Sequence, residues 1–389
     1  MTRRKWWGLV AVSLILVAAL TTALVQWQAP TGPQGAVGRP PLPADPAAAM
    51  RLWSQPLEKV VESNNFDAVV VGLAWRPDGR RIAVVHNGSN ATAVMDTATG
   101  TIVADIFAKG PVSHVIAYSA GGDAVLRPRQ SIDELPSPDT DMFSIRDGDT
   151  LEITGAIPGP LPPVIESYRN SAAELALSAD GLTGLAQPSG YSHYFSSIDM
   201  QTLSVRSKFE LYGTGGETSL ALSRTGKTLA IGSYFTIQLC DVQAATCSGK
   251  VRAFPATVSA IALTSDDQYL VAGIHSTSNG SDHTLTREQL EAEEYHKIKI
   301  FDVPSLTKRG EINIKLLAGN YFAVHPKLPL LAVAAVDRVL LIDIRTATVV
   351  QTIVEGSRSM MAVTVAFSLR GDCLAAGFAK RIAIYCIKT

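Results

Sequence analysis

After residue 66 the apolar and polar positions fall into a rhythm that returns seven times: a β-rich apolar run, a turn built on Asp or Gly, an alanine-rich apolar run, then an apolar step onto Asp before a further turn. The clearest copy runs from Leu73-Ala74-Trp75 through the turn Arg76-Pro77-Asp78-Gly79 to Arg81-Ile82-Ala83-Val84-Val85. It continues through Ala93-Val94-Met95-Asp96-Thr97-Ala98-Thr99-Gly100 and closes on Thr101-Ile102-Val103-Ala104-Asp105-Ile106. Short apolar runs punctuated by Asp, Gly and Pro read as strands joined by tight turns. Four strands and three turns, recurring at about 40 to 50 residues, make a propeller blade, because one such sheet cannot bury both of its faces and must stack on its neighbours. The expected fold is therefore an all-β, seven-bladed β-propeller.

The remaining copies align by their first turns, at Ala120-Gly121-Gly122, Ala179-Asp180-Gly181, Arg224-Thr225-Gly226, Ser265-Asp266-Asp267, His325-Pro326-Lys327 and Leu369-Arg370-Gly371. An Asp closes the third strand of six blades, as Asp96, Asp147, Asp199, Asp241, Asp302 and Asp343. A short acceptor side chain there can bond the amides of the following turn, so these residues are expected to be structural. The last copy stops one strand short after Arg381-Ile382-Ala383-Ile384-Tyr385-Cys386, and residues 52–61 lie ahead of the first copy with no other role. They are expected to supply the missing outer strand and close the ring, leaving no open edge. The segment His86-Asn87-Gly88-Ser89-Asn90 followed by Val94-Met95-Asp96-Thr97-Ala98-Thr99-Gly100 resembles the YVTN type of propeller repeat, and residues 66–389 as a whole resemble the WD-repeat-like superfamily. That resemblance implies a binding scaffold, a lactonase or an amine dehydrogenase subunit, since one such fold hosts all three.

The N-terminus bears on location. Arg3, Arg4 and Lys5 precede an uncharged run over residues 6–25, which as a helix of about 20 residues would match a bilayer core of roughly 30 Å. Trp6 and Trp7 at one end and Trp27 at the other suit the two interfaces, and the basic tip is expected to stay cytoplasmic. Residues 1–28 thus read as a signal anchor or, with cleavage, a signal peptide. Residues 29–50, rich in Pro, Gly and Ala, read as an extended linker, and residues 51–389 as the propeller. The four cysteines fall into two pairs, Cys240 with Cys247 and Cys373 with Cys386, each symmetric about a predicted hairpin turn. Opposed strand residues lie close enough for disulfides, which would imply an oxidising compartment, whereas buried free thiols are the alternative. The expected location is membrane-anchored with the propeller outside the cytoplasm, periplasmic in a Gram-negative bacterium.

Charge narrows the partners. Lys and Arg total 34 against 35 Asp and Glu, so nucleic acid is not an expected partner. The connections expected on one face of the ring are elaborated. Residues 158–170 carry Glu166, Tyr168 and Arg169, residues 187–194 carry His193 and Tyr194, and residues 275–296 carry His275, His283, Glu291, Glu294 and His296. In the last of these Thr286 and Gln289 form a capping-box pattern ahead of a short acidic helix, with Leu285 and Leu290 placed as a staple. His86 and His114 map to the same face, and His325 does not. The histidines show no His-x-x-x-His spacing and the cysteines no Cys-x-x-Cys, so neither metal nor cofactor is expected. Gly-x-Ser-x-Gly, Gly-x-Gly-x-x-Gly and phosphate-loop motifs are absent too. These features point to a non-enzymatic, membrane-tethered scaffold that binds a protein or peptide of the cell envelope through its elaborated face. A propeller enzyme with its site in the central funnel, such as a sugar lactonase or amine dehydrogenase-like subunit, is the alternative. A structural surface-layer component is the third reading.

Overall fold

The structure, a computed structural model, describes residues 41–64, 66, 68–87, 92–106, 116–126, 141–158, 174–178, 181–187, 194–211, 219–233, 235–255, 258–274, 297–314, 322–335, 338–354 and 363–388. A helix α1 (Pro46–Trp53) and a strand β1 (Glu58–Ser63) precede the repeats. Blade 1 is β2 (Val69–Trp75), β3 (Arg81–Asn87), β4 (Thr92–Asp96) and β5 (Ile102–Ile106). Blade 2 is β6 (Ile116–Tyr118), β7 (Ala124–Leu126), β8 (Asp141–Arg146) and β9 (Ile153–Pro158). Blade 3 is β10 (Glu174–Leu177), β11 (Thr183–Gln187), β12 (Tyr194–Asp199) and β13 (Ser204–Glu210). Blade 4 is β14 (Ser219–Leu222), β15 (Thr228–Ser233) and β16 (Thr236–Asp241), with an outer edge split into β17 (Thr246–Cys247) and β18 (Val251–Arg252). Blade 5 is β19 (Val258–Leu263), β20 (Tyr269–Ile274), β21 (Lys297–Asp302) and β22 (Thr307–Asn313). Blade 6 is β23 (Phe322–Val324), β24 (Leu330–Ala335), β25 (Arg338–Asp343) and β26 (Thr348–Val354). Blade 7 is β27 (Thr364–Phe367), β28 (Cys373–Gly377) and β29 (Ile382–Cys386), and its outer place is taken by β1.

The ring is sealed by apolar contacts between successive sheets. Val94 of blade 1 packs with Tyr118 and Leu151 of blade 2, Phe143 of blade 2 with Ile198 of blade 3, and Leu185 of blade 3 with Leu229 of blade 4. Leu239 with Leu270, Ile300 with Val333, Leu341 with Leu374, and Ile384 with Val84 complete the circuit back to blade 1. Second strands face neighbours on both sides. β24 and β28 are buried at every residue, which explains why these runs lack period-2 alternation. The outer strand β5, by contrast, alternates between half-buried and exposed residues. The expected closure is realised, since β1 pairs antiparallel with β29 from Glu58 opposite Cys386 to Ser63 opposite Ile382. Arg381, buried, adds an ion pair to Glu62 at 2.8 Å.

The start of this closing segment departs from expectation. Helix α1 begins at Pro46, inside the stretch read as linker, and β1 starts at Glu58 rather than near residue 52. The signal was local. Asp45 caps the helix by accepting from the Ala47 and Ala48 amides at 3.1 Å, and Pro46 occupies the first turn, where its missing N–H costs nothing. Ala49, Met50 and Trp53 form the buried face. Trp53 inserts between blades 6 and 7, edge-on to Phe367 at 5.2 Å and His325 at 5.6 Å, and its indole donates to the Gly371 carbonyl at 3.2 Å. Leu42, Leu52 and Leu57 extend the contact, so residues 42–57 strap the ring from beneath.

Both cysteine pairs are bonded as the hairpin symmetry implied. Cys240 opposes Cys247 across β16 and β17 with Cα atoms 3.9 Å apart, and Cys373 opposes Cys386 across β28 and β29 at 4.1 Å. Two disulfides that consume all four cysteines fit an oxidising, extracytoplasmic compartment. The run over residues 6–25 lies outside the described residues, and among the described residues no helix is long and apolar enough to cross a membrane.

Candidate functional site

Antiparallel blades have two unlike ends. Turns from first to second and from third to fourth strand share one face, here the turn face. Connections from second to third strand and between blades share the other, the loop face. On the turn face the first turns are uniform in length. Every first turn occupies five residues, at 76–80, 119–123, 178–182, 223–227, 264–268, 325–329 and 368–372. In five of them a buried hydroxyl opens the turn: Ser119, Ser178, Ser223, Thr264 and Ser368 each accept from a backbone amide four or five residues on. The fourth position is left-handed in six, as Gly79, Gly122, Gly181, Gly226, Asp267 and Gly371, a geometry in which a Cβ is costly.

Charges on the turn face are spent on the fold. Arg76 and Arg81 of blade 1 reach Asp149 of blade 2 at 2.7 and 3.1 Å, and Arg81 also binds Asp96. The strand-ending aspartates accept turn amides as expected: Asp96 from Ala98 and Thr99, Asp147 from Asp149 and Thr150, Asp199 from Gln201 and Thr202. The Thr150 and Asp149 amides hold the Asp147 carboxyl below the usual range, and the Arg206 guanidinium with the Thr202 amide holds Asp199 down to about 2. These carboxylates stay ionised and are bonded within their own turns.

The loop face is the opposite case. Connections between second and third strands span residues 88–91, 127–140, 188–193, 234–235, 275–296, 336–337 and 378–381. Those between blades include the long 159–173. Connection length is therefore constant in the first turns of the turn face and varies widely on the loop face, and long surface connections are where binding and catalytic residues concentrate in general. Of the candidate residues, His114, Glu166, Tyr168, Arg169, His193, His275, His283, Glu291, Glu294 and His296 lie outside the described residues. His86 and Tyr194 are described, and they stand in blades 1 and 3 rather than together. His86 is buried near the loop end of β3, its ring edge-on to Phe66 at 5.7 Å, so it belongs to the core of blade 1. Tyr194 opens β12, is 37 % exposed and lies opposite Glu210. Its hydroxyl donates to that carboxylate, and the bond raises the phenol's pKa above its ordinary value.

Between blades 4 and 5 the loop face presents a feature that the sequence reading missed. Phe235, 44 % exposed, sits at the head of β16 with the Arg252 guanidinium 5.6 Å from its ring centre. Next to it Phe254 is buried beneath the Lys299 ammonium at 4.6 Å, which also donates to the Ala253 carbonyl at 2.8 Å. In each case the ring's negative face attracts the cation. The signal was an aromatic in a connection of two residues, too short to bury it. Among the described residues, no three His, Cys, Asp or Glu side chains gather in a way that could hold a metal ion.

These features define a seven-bladed all-β propeller with a regular turn face and an elaborated loop face. No protein-family model matches the chain, and no curated protein is detectably similar to it in sequence.

Proposed function

We propose that this chain is a membrane-tethered, extracytoplasmic propeller of the YVTN or WD-repeat-like type that binds a protein or peptide partner of the cell envelope through its loop face. The observation that carries this reading is the contrast in connection length between the two faces, from five residues in every first turn to the stretches at 127–140, 159–173 and 275–296. The exposed Phe235 with Arg252, and Tyr194 with Glu210, add aromatic and charged groups suited to a polypeptide surface. The tether over residues 1–40 would raise the local concentration of the scaffold near its partners.

The test is retention of envelope proteins by the chain beginning at Pro41 and by a variant whose 275–296 connection is replaced with a two-residue turn like that at 234–235. Specific retention that the variant loses, at unchanged melting temperature, supports the reading. Equal retention by both, or none by either, removes it.

A further inference from the structure

The strap beneath blades 6 and 7 gives the propeller an orientation. Trp53 donates to the carbonyl of Gly371, in the first turn of blade 7, and packs on His325, in the first turn of blade 6, so α1 lies on the turn face. Leu42 reaches the same place, since a Cβ added at Gly371 would come within 3.2 Å of its side chain. β1 then runs from Glu58 at the turn face to Ser63 at the loop face, antiparallel to β29. The chain ahead of residue 42 therefore departs from the turn face, on the side away from every variable connection. Only the first turn of blade 6 lacks a left-handed fourth position. It has Leu328 there, buried and packed in the strap's cluster, with His325 in place of a hydroxyl. The one first turn without the left-handed position is thus the one fitted to the strap.

We infer that the propeller is held with its turn face toward the bilayer and its loop face outward, so that its partner is a soluble or wall-attached protein arriving from the far side, not a neighbour embedded in the same membrane. This rests on the tethered reading above. Residues 29–41, past the anchor, span at most ~40 Å as extended polyproline II. Turning the loop face to the bilayer would lift residue 41 by a blade height, ~20 Å for strands of about six residues, and draw out much of that reach.

All four native cysteines are in disulfides, so a single added thiol can be labelled in the full chain. Gln201→Cys marks the turn face of blade 3 and Lys380→Cys the loop face of blade 7, both at exposed positions. The labelled chains are reconstituted in vesicles of phosphatidylcholine and phosphatidylglycerol carrying rhodamine-labelled phosphatidylethanolamine, and energy transfer to the headgroups is read. The expected result is at least ~2-fold more transfer from Gln201→Cys, given faces ~20 Å apart. A flexible Gly/Ser insertion ahead of Pro41 should bring the two labels toward equality without touching the propeller. Equal transfer before insertion, more from Lys380→Cys, or a difference that survives insertion overturns the orientation while leaving the tether standing. Chains that do not pellet with the vesicles overturn the tether and the orientation with it.

Discussion

His325 should make this protein lose stability in mild acid, by an amount the structure sets. Its imidazole is fully buried. Nδ1 accepts from the Lys327 and Leu328 amides, each at 3.0 Å, so the proton resides on Nε2, which donates to the Gly371 carbonyl at 2.8 Å. A second proton would have to sit on Nδ1, facing two N–H groups. Burial pushes the imidazole down to about 4 from an ordinary 6.5, against the Gly371 bond and with help from the nearby Lys327 charge. Between those values the unfolded chain binds a proton that the folded chain refuses. Stability from this group is therefore complete above pH 6.5 and is lost as pH falls toward 4, by about 3 kcal/mol in all. The assay is denaturant unfolding of the chain beginning at Pro41, across that pH range, beside His325→Ser. The serine supplies the hydroxyl that five sister turns use and removes the titration. The variant should be weaker at neutral pH, for want of ring contacts with Trp53 and Phe367, yet the gap should close by about 3 kcal/mol on acidification. Parallel stability curves for the two chains would refute the argument.

Three other outcomes are expected. Trp53→Ala, at a position with no solvent exposure, should cost about 3 to 5 kcal/mol in denaturant unfolding; a loss below about 1 kcal/mol would mean that the strap is not seated as described. Replacing both Cys373 and Cys386 by Ser, across a separation of 13 residues, should cost about 3 kcal/mol. The Cys240 and Cys247 pair, at a separation of 7, should cost about 2.5 kcal/mol, and calorimetry showing the reverse order would count against loop closure as the main effect. Ala245→Gly, at an exposed residue with φ 52°, should gain up to about 1 kcal/mol in midpoint-derived stability, and a loss there would contradict the left-handed turn.

The ring was legible because its signals are local and repeated: Asp with Gly turns, apolar second strands and strand-ending aspartates each recur in register. Closure by residues ahead of the first blade followed from arithmetic, one strand missing at the end and one unassigned at the start. The strap was not read, because prolines at 40, 41, 43 and 46 dominate a composition-based view, while Asp45-Pro46 followed by alanines is a helix start only when taken residue by residue. The buried hydroxyls of the first turns carry no comparable sequence signal, because Ser and Thr are as common in exposed turns as in these buried ones. His86 lies at the loop end of β3, on the face expected for it, but there it is buried against Phe66. Position along a strand fixes the face of the ring, whereas side-chain direction fixes exposure, and only the first can be counted from turns.

The pairing of β1 with β29 has a consequence for biosynthesis. Glu62 and Arg381, which meet in this seam, are 319 residues apart. A chain that folds as it is delivered presents β1 before any blade exists, and the strand must wait, with Trp53 and its neighbours uncovered, until nearly the whole polypeptide has followed. Contacts at such separation are slow to form, and unpaired strand edges meanwhile invite association with other chains. The same seam makes the last dozen residues as decisive as the first: a chain that stops short of β29 has six finished blades and a closing strand with nothing to close upon.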